Sequence, residues 1–178
     1  MFEIETDHLA LRSLREEDVT NEYVAWLNDP ESNKYLEVRH SHQTLDTCRS
    51  FILACNADPS TYLYGIFLRS TGKHIGNIKI GFINAVHKRG EVGLFIGDKQ
   101  CWGRGYAAQA VRGITKYAFS ELRLQRLEAG CYEPNLASLN TFLKAGYKLE
   151  GFKRMHVQSN GERVGCYMLG ILANEFFE

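Results

Sequence analysis

Apolar and polar residues alternate from Leu9 to Leu14, which predicts a first strand. Glu16-Glu17-Asp18 then places acids in the first turn of a helix reaching Leu27, with Val19, Tyr23 and Leu27 on its buried stripe and Trp26 at the edge. Asp29-Pro30 closes that helix and opens a shorter one ending near Leu36, since Asp29 can cap and Pro30 suits the first helical position. Thr44 is the next cap. Leu45, Cys48, Phe51, Ile52 and Cys55 follow at helical spacing until Asp58-Pro59 stops them.

Tyr62 to Arg69 and His74 to Asn84 read as strands around the turn Ser70-Thr71-Gly72-Lys73, and Glu91 to Ile96 as the third strand of the meander. After Gly103 and Gly105 the period changes, and Ala107, Ala110, Val111, Ile114, Tyr117 and Ala118 form the apolar face of a long helix. Arg126 to Tyr132 is a strand, and Asn135 to Lys144 a helix ended by Gly146 as a left-handed cap. Two last strands, about Lys148 to Val157 and Arg163 to Leu172, are joined at Ser159-Asn160-Gly161. These elements predict an α/β (α+β) chain with a mixed, mostly antiparallel seven-stranded sheet and helices on both faces. They disfavour a doubly wound parallel sheet.

Composition narrows the classes. A chain of 178 residues suits one domain, here residues 1–178, and can bury about 70% of its unfolded surface. With 21 basic and 21 acidic residues there is no net field to favour nucleic acid, and no basic run suggests a membrane surface. Five cysteines without a C-x-x-C pair fit a reduced intracellular protein. The amino terminus lacks a basic and apolar leader pattern, and no apolar run approaches a membrane span, so a cytoplasmic location is expected. His40 and His42 have no further ligands at recognisable spacing, so no metal is expected.

The chemistry concentrates where strand gives way to helix, in Gln100-Cys101-Trp102-Gly103-Arg104-Gly105-Tyr106-Ala107. Gly103 and Gly105 leave backbone N–H groups free of a neighbouring Cβ, and the first N–H groups of the next helix have no intrahelical partner. This is an anion cradle with room for a pyrophosphate. A P-loop would need Gly-Lys-Ser/Thr, and Gly105 is followed by Tyr106 and Ala107. A dinucleotide fingerprint is met more closely, with Ala108 at the third glycine position and Glu128 about twenty residues on, but the element order argues against it.

Gln100-x-x-Gly103-x-Gly105-x-Ala107 between strand and helix, then Asn135-x-x-Ser138 and Gly146-Tyr147, resembles the GCN5-related N-acetyltransferase superfamily over about half the chain. The nearest flavour resembles ribosomal-protein and amino-sugar acetyltransferases. The resemblance implies an acetyl-CoA co-substrate held between two splayed parallel strands, here Glu91 to Ile96 and Arg126 to Tyr132. It implies pantetheine contacts from the N–H groups of Leu94, Phe95 and Ile96 and from Asn135, and phosphate contacts from the glycine segment, including Gln100, Arg104, Tyr106 and Ala107. Glu91 resembles the family's general base, often acting through water. The tyrosine that protonates the departing thiolate is replaced by Phe142, which makes Ser138 the nearest substitute.

Acceptor choice is expected from Trp26 to His42, with Trp26, Arg39 and His40 as candidate contacts. Arg39 offers a guanidinium to the phosphate of a nucleotide-linked amino sugar, and WLNDPESNKYLE resembles the start of amino-sugar acetyltransferases. A protein N-terminus is the alternative acceptor, and a non-catalytic acyl-CoA-binding module the alternative class. A monomer or a homodimer is expected, with no nucleic-acid or membrane partner. Cys101 near a helix start leaves an acyl-enzyme route conceivable, and direct attack by the amine is the expected one.

Overall fold

The structure, a computed structural model, describes residues 4–159 and 161–177. Among them eight strands form one sheet in the order β1-β2-β3-β4-β5-β6-β8-β7. The strands are β1 (Ile4–Glu5), β2 (Leu9–Ser13), β3 (Tyr62–Leu68), β4 (His74–Asn84), β5 (Arg89–Ile96), β6 (Arg126–Tyr132), β7 (Lys148–Ser159) and β8 (Glu162–Leu172). The helices are α1 (Asn21–Asn28), α2 (Leu45–Ala57), α3 (Tyr106–Ser120), α4 (Leu136–Lys144) and α5 (Ala173–Phe177). The expected mixed sheet is present with one strand more than seven: β1 is two residues long, too short to leave a period in the sequence. Asn160, in the last hairpin's expected turn, lies outside the described residues, and Gly161 beside it has φ 83°.

Helices cover both faces because the sheet's two faces are both apolar. On one side Val19, Tyr23 and Leu27 of the α1 segment and Cys48, Ile52 and Cys55 of α2 pack on Leu63 and Phe67. On the other, Ala110, Val111, Ile114 and Ala118 of α3 pack on Ile78, Ile80, Val92 and Leu127. Phe51 departs from the expected stripe and is 48% exposed, overhanging a cavity described below.

The segment before the meander is less helical than its composition suggests. The acids of Glu16–Asp18 make only a 3-10 turn, because the Asp18 carboxylate is taken by the Arg12 guanidinium (2.6 and 2.8 Å) and by the N–H of Arg15. Helix α1 then starts afresh at Thr20, whose hydroxyl accepts the N–H of Tyr23. The short helix expected after Asp29 is a run of turns followed by a 3-10 helix at Glu37–His40. Asp29 does accept the N–H groups of Glu31 and Ser32, but Asn33 donates its side-chain N–H to the carbonyl of Leu27, and these local bonds compete with helix propagation.

Strands β5 and β6 are the one parallel pair among the described residues, and their pairing stops after Arg89↔Arg126, Gly90↔Leu127 and Glu91↔Glu128. Beyond that rung β5 continues along β4 to Ile96, while β6 continues along β8 to Tyr132. A gap therefore opens within the sheet, at the carboxyl ends of both strands.

Candidate active site

Strand alternation decides what faces the gap. The N–H of Gly97 bonds the carbonyl of Ile75 on β4 (2.9 Å), so Phe95 and Gly93, in phase with it, also turn their backbone toward β4. Leu94 and Ile96 must then aim N–H and C=O groups away from β4, into the gap. The Ile96 carbonyl meets the indole Nε1 of Trp102 there, 2.8 Å away. Of the three residues expected to offer N–H groups, Leu94 and Ile96 do so, and Phe95 is turned the other way.

Below the gap, Gly103 and Gly105 have φ 71° and 80°, in the left-handed region, and a Cβ on either would touch nothing within 4 Å. Gly105 is the N-cap of α3 and has no side chain to cap it, whereas Thr20, Thr44 and Asn135 cap α1, α2 and α4. The first bond within α3 runs from the N–H of Gln109 to the carbonyl of Gly105, leaving Tyr106, Ala107 and Ala108 with N–H groups aimed past the helix end. These donors sit in a cleft of about 510 Å³ that Leu94, Ile96, Gly103, Gly105, Asn135 and Ser138 also line. Gln100 and Arg104 are exposed and outside its lining.

Across the gap, the Asn135 carbonyl oxygen accepts the N–H of Ser138 (3.2 Å), which leaves the amide N–H₂ free to donate. The Ser138 hydroxyl is 3.2 Å from the thiol of Cys131. Phe142 is buried edge-on against Tyr147, turned into the core rather than the cleft. Cys101 touches the cleft, but burial, then the charge and hydrogen bond of Asp98, push its thiol above the ordinary range. An activated thiolate needs the opposite environment.

A second cavity of about 520 Å³ lies on the α1–α2 face of the sheet. The two share Leu36, Leu94 and Phe95, so the gap in the sheet opens to both faces. Glu91 lines neither. It is exposed at the last rung of the parallel pair, on the face of Gly93 and Phe95, about 7 Å up the strand from Gly93 by the rise of a strand.

The expected acceptor contacts lie around this cavity without lining it. Trp26 packs edge-on to Tyr23 and His74 and fills the space beside Gly97, where a Cβ would come within 2.4 Å of its ring. The Arg39 guanidinium donates to the carbonyls of Leu36 (2.7 Å) and Gln158 (2.9 Å) and lies over the Tyr132 ring, clamping the 3-10 segment to the ends of β6 and β7. His40 is exposed, 3.9 Å from Glu37. Sequence reasoning missed the residues that do form the walls, Tyr23, Phe51, Asn77 and Gly93 among them. A lone glycine inside the strand EVGLFI was the one legible signal.

Among the described residues no group of three His, Cys, Asp or Glu side chains is placed to hold a metal, and no helix is long and apolar enough to cross a membrane.

A gap between parted parallel strands, ending on uncapped N–H groups, has the shape and polarity to take an extended ligand with an anionic end. The chain matches the acetyltransferase (GNAT) domain over residues 8–148 and belongs to the GCN5-related N-acetyltransferase family; it is an acetyl-CoA-dependent N-acetyltransferase. It is 32% identical over 164 residues to the uncharacterized N-acetyltransferase YoaA of Bacillus subtilis, covering 90% of this chain and 92% of that one. It is 27% identical to the uncharacterized N-acetyltransferase p20 of Bacillus licheniformis, covering 96% of each. The fold is shared with spermidine N-acetyltransferase from Vibrio cholerae, solved with CoA and spermine, at a TM-score of 0.86 and 18% identity over 97% of this chain and 100% of that one.

Proposed function

We propose that this chain, acting as one unit, moves the acetyl group of acetyl-CoA by direct attack of a small primary amine that enters from the α1–α2 face. The observation that carries this reading is the meeting of the two cavities at Leu36, Leu94 and Phe95: a donor laid along β5 on one side comes within reach of an amine on the other. Acetyl-CoA supplies an activated thioester and a fair leaving group. The protein's residues hold and align it.

The N–H groups of Gly103, Gly105, Tyr106, Ala107 and Ala108 suit the pyrophosphate, where the helix dipole adds about half a positive charge. Those of Leu94 and Ile96, with the Asn135 amide, suit the pantetheine arm, and an N–H aimed into the gap favours a developing negative charge on the thioester oxygen. The amine forms the new N–C bond as the C–S bond breaks. Its proton leaves through water toward Glu91, and the thiolate takes a proton from solvent, with Ser138 orienting the sulfur. Gln100 and Arg104, both exposed, can at most meet the outer phosphates.

The amino-sugar acceptor expected from the sequence gains no support from the cavity, because the Arg39 guanidinium is already engaged with two carbonyls and an aromatic ring. A small amine of some kind remains the acceptor. The test is acetyl-CoA-dependent thiol release with a panel of amines and a peptide, with the product identified by mass spectrometry. Tight acetyl-CoA binding with no release on any member would instead mark a binding module.

A further inference from the structure

The acceptor cavity holds little charge. Its walls come from Leu27, Val38, Phe51, Leu63 and Phe95, and only Glu37 and Lys79 among its lining residues carry charge. Both have neighbours outside it. Glu37 accepts the Tyr132 hydroxyl and lies 3.7 Å from Arg39, while the Lys79 ammonium lies 5.9 Å over the Phe82 ring. The polar groups are paired too: Asn77 donates to the Tyr23 hydroxyl (2.9 Å) and its carbonyl faces His74 (2.9 Å). Away from the exposed carboxylate of Glu37 at its edge, a second ammonium or a phosphate would be buried in this cavity without a free partner, at a cost that disfavours binding.

The floor is bare. A Cβ on Gly93 would meet nothing within 4 Å, and the backbone there lies outside the left-handed region, so glycine is not required by conformation. What glycine leaves at this position is space, beside the Leu94 backbone where the two cavities join.

We propose that the acceptor is a monoamine carried on an apolar body, an arylalkylamine or alkylamine, whose body fills this cavity over Gly93 and whose nitrogen reaches the junction at Leu36, Leu94 and Phe95. The proposal deepens the acetyl-transfer reading and rests on it. The same walls that bind the body desolvate the ammonium and favour the neutral amine, which is the attacking form. No carboxylate lining the cavity is then required, in keeping with the position of Glu91 outside it.

The test uses a homologous series of phenylalkylamines and n-alkylamines beside spermidine and glucosamine, read in two ways. In turnover with acetyl-CoA, kcat/KM should rise by about 4-fold per added methylene until the cavity is full, the value expected for burying one CH₂. In calorimetry with the enzyme saturated by CoA, phenethylamine should bind, Gly93→Val should weaken that binding at least tenfold, and the CoA affinity should not change. Gly93→Ala, with Phe51→Ala at the rim, gives the same comparison should the valine variant fold poorly. A flat series, or spermidine or glucosamine preferred with Gly93→Val indifferent, overturns the apolar acceptor and leaves acetyl transfer standing. Binding of phenethylamine that Gly93→Val removes, without thiol release, upholds the cavity assignment and overturns acetyl transfer to it. Absence of both binding and turnover for every apolar amine overturns the proposal.

Discussion

Replacing Gly105 by glutamate tests the phosphate cradle most directly. Gly105 sits at φ 80° and ψ −1°, and the space around its missing Cβ is open, so a longer side chain fits without collision. An L residue in this conformation costs about 1–2 kcal/mol, but the free and bound enzymes bear that strain alike, and it drops out of the affinity. Charge does not drop out. A carboxylate about 5 Å from one phosphate charge, at an effective dielectric near 20, is repelled by about 3 kcal/mol, and solvent at this exposed loop brings the figure to about 2–3 kcal/mol. That corresponds to roughly a 30- to 150-fold loss of affinity.

Gly105→Gln carries the same shape and strain without the charge, and should bind CoA within about threefold of the wild type if the repulsion argument holds. Calorimetric titration of CoA into the three proteins measures the difference, which should shrink as salt is raised because exposed charges are screened. Equal CoA affinity of the Glu and Gln variants would refute the placement of the pyrophosphate over Gly105.

Other consequences are simpler. Glu91→Gln should lower kcat by about 10²- to 10⁴-fold, the usual range for losing a proton acceptor, with acetyl-CoA affinity intact, and an unchanged kcat removes Glu91 from the reaction. Burial holds the His74 pKa below its ordinary value, against hydrogen bonds to Asn77 and Gly76 that favour the charged form. A depressed folded pKa means that the unfolded chain takes up protons first, so stability present above pH about 6.5 should be lost as the pH falls below it. Thermal melts from neutral to mildly acid pH should show that loss, and His74→Phe should flatten this part of the curve; an identical slope in the variant would exclude His74 as its source. Tyr147→Phe removes the partner, 3.0 Å away, of the fully buried Thr115 hydroxyl and should cost about 1–2 kcal/mol, a fall in Tm of about 2–8 °C. An unshifted Tm would mean that the hydroxyl finds another acceptor in α3.

Local chemistry made much of this molecule legible in its sequence. Thr44 and Asn135 have side chains that accept N–H groups three residues on, so they start helices wherever the chain goes, and Gly103, Gly105 and Gly146 take the left-handed values that other residues resist. The period of two in β4 to β6 and the apolar stripe of α3 likewise follow from which faces are buried. Local signals failed in the segment from Glu16 to His40, where acids and a proline read as helix starts but Arg12 claims Asp18 and Asn33 claims the end of α1. Those side-chain bonds span six residues, beyond the spacing that helix-start signals read. Local signals failed at the acceptor cavity as well: Phe51 looked like one more core position and Arg39 like a free cation. Only the folded chain sets Phe51 at the cavity that Gly93 also lines and turns Arg39 onto the ends of β6 and β7, because burial and charge pairing depend on elements far apart in sequence. The proposed donor cleft is legible from adjacent residues since backbone N–H groups line it; the proposed acceptor cavity is not, since six separate elements, α1, the 3-10 helix, α2, β3, β4 and β5, build its walls.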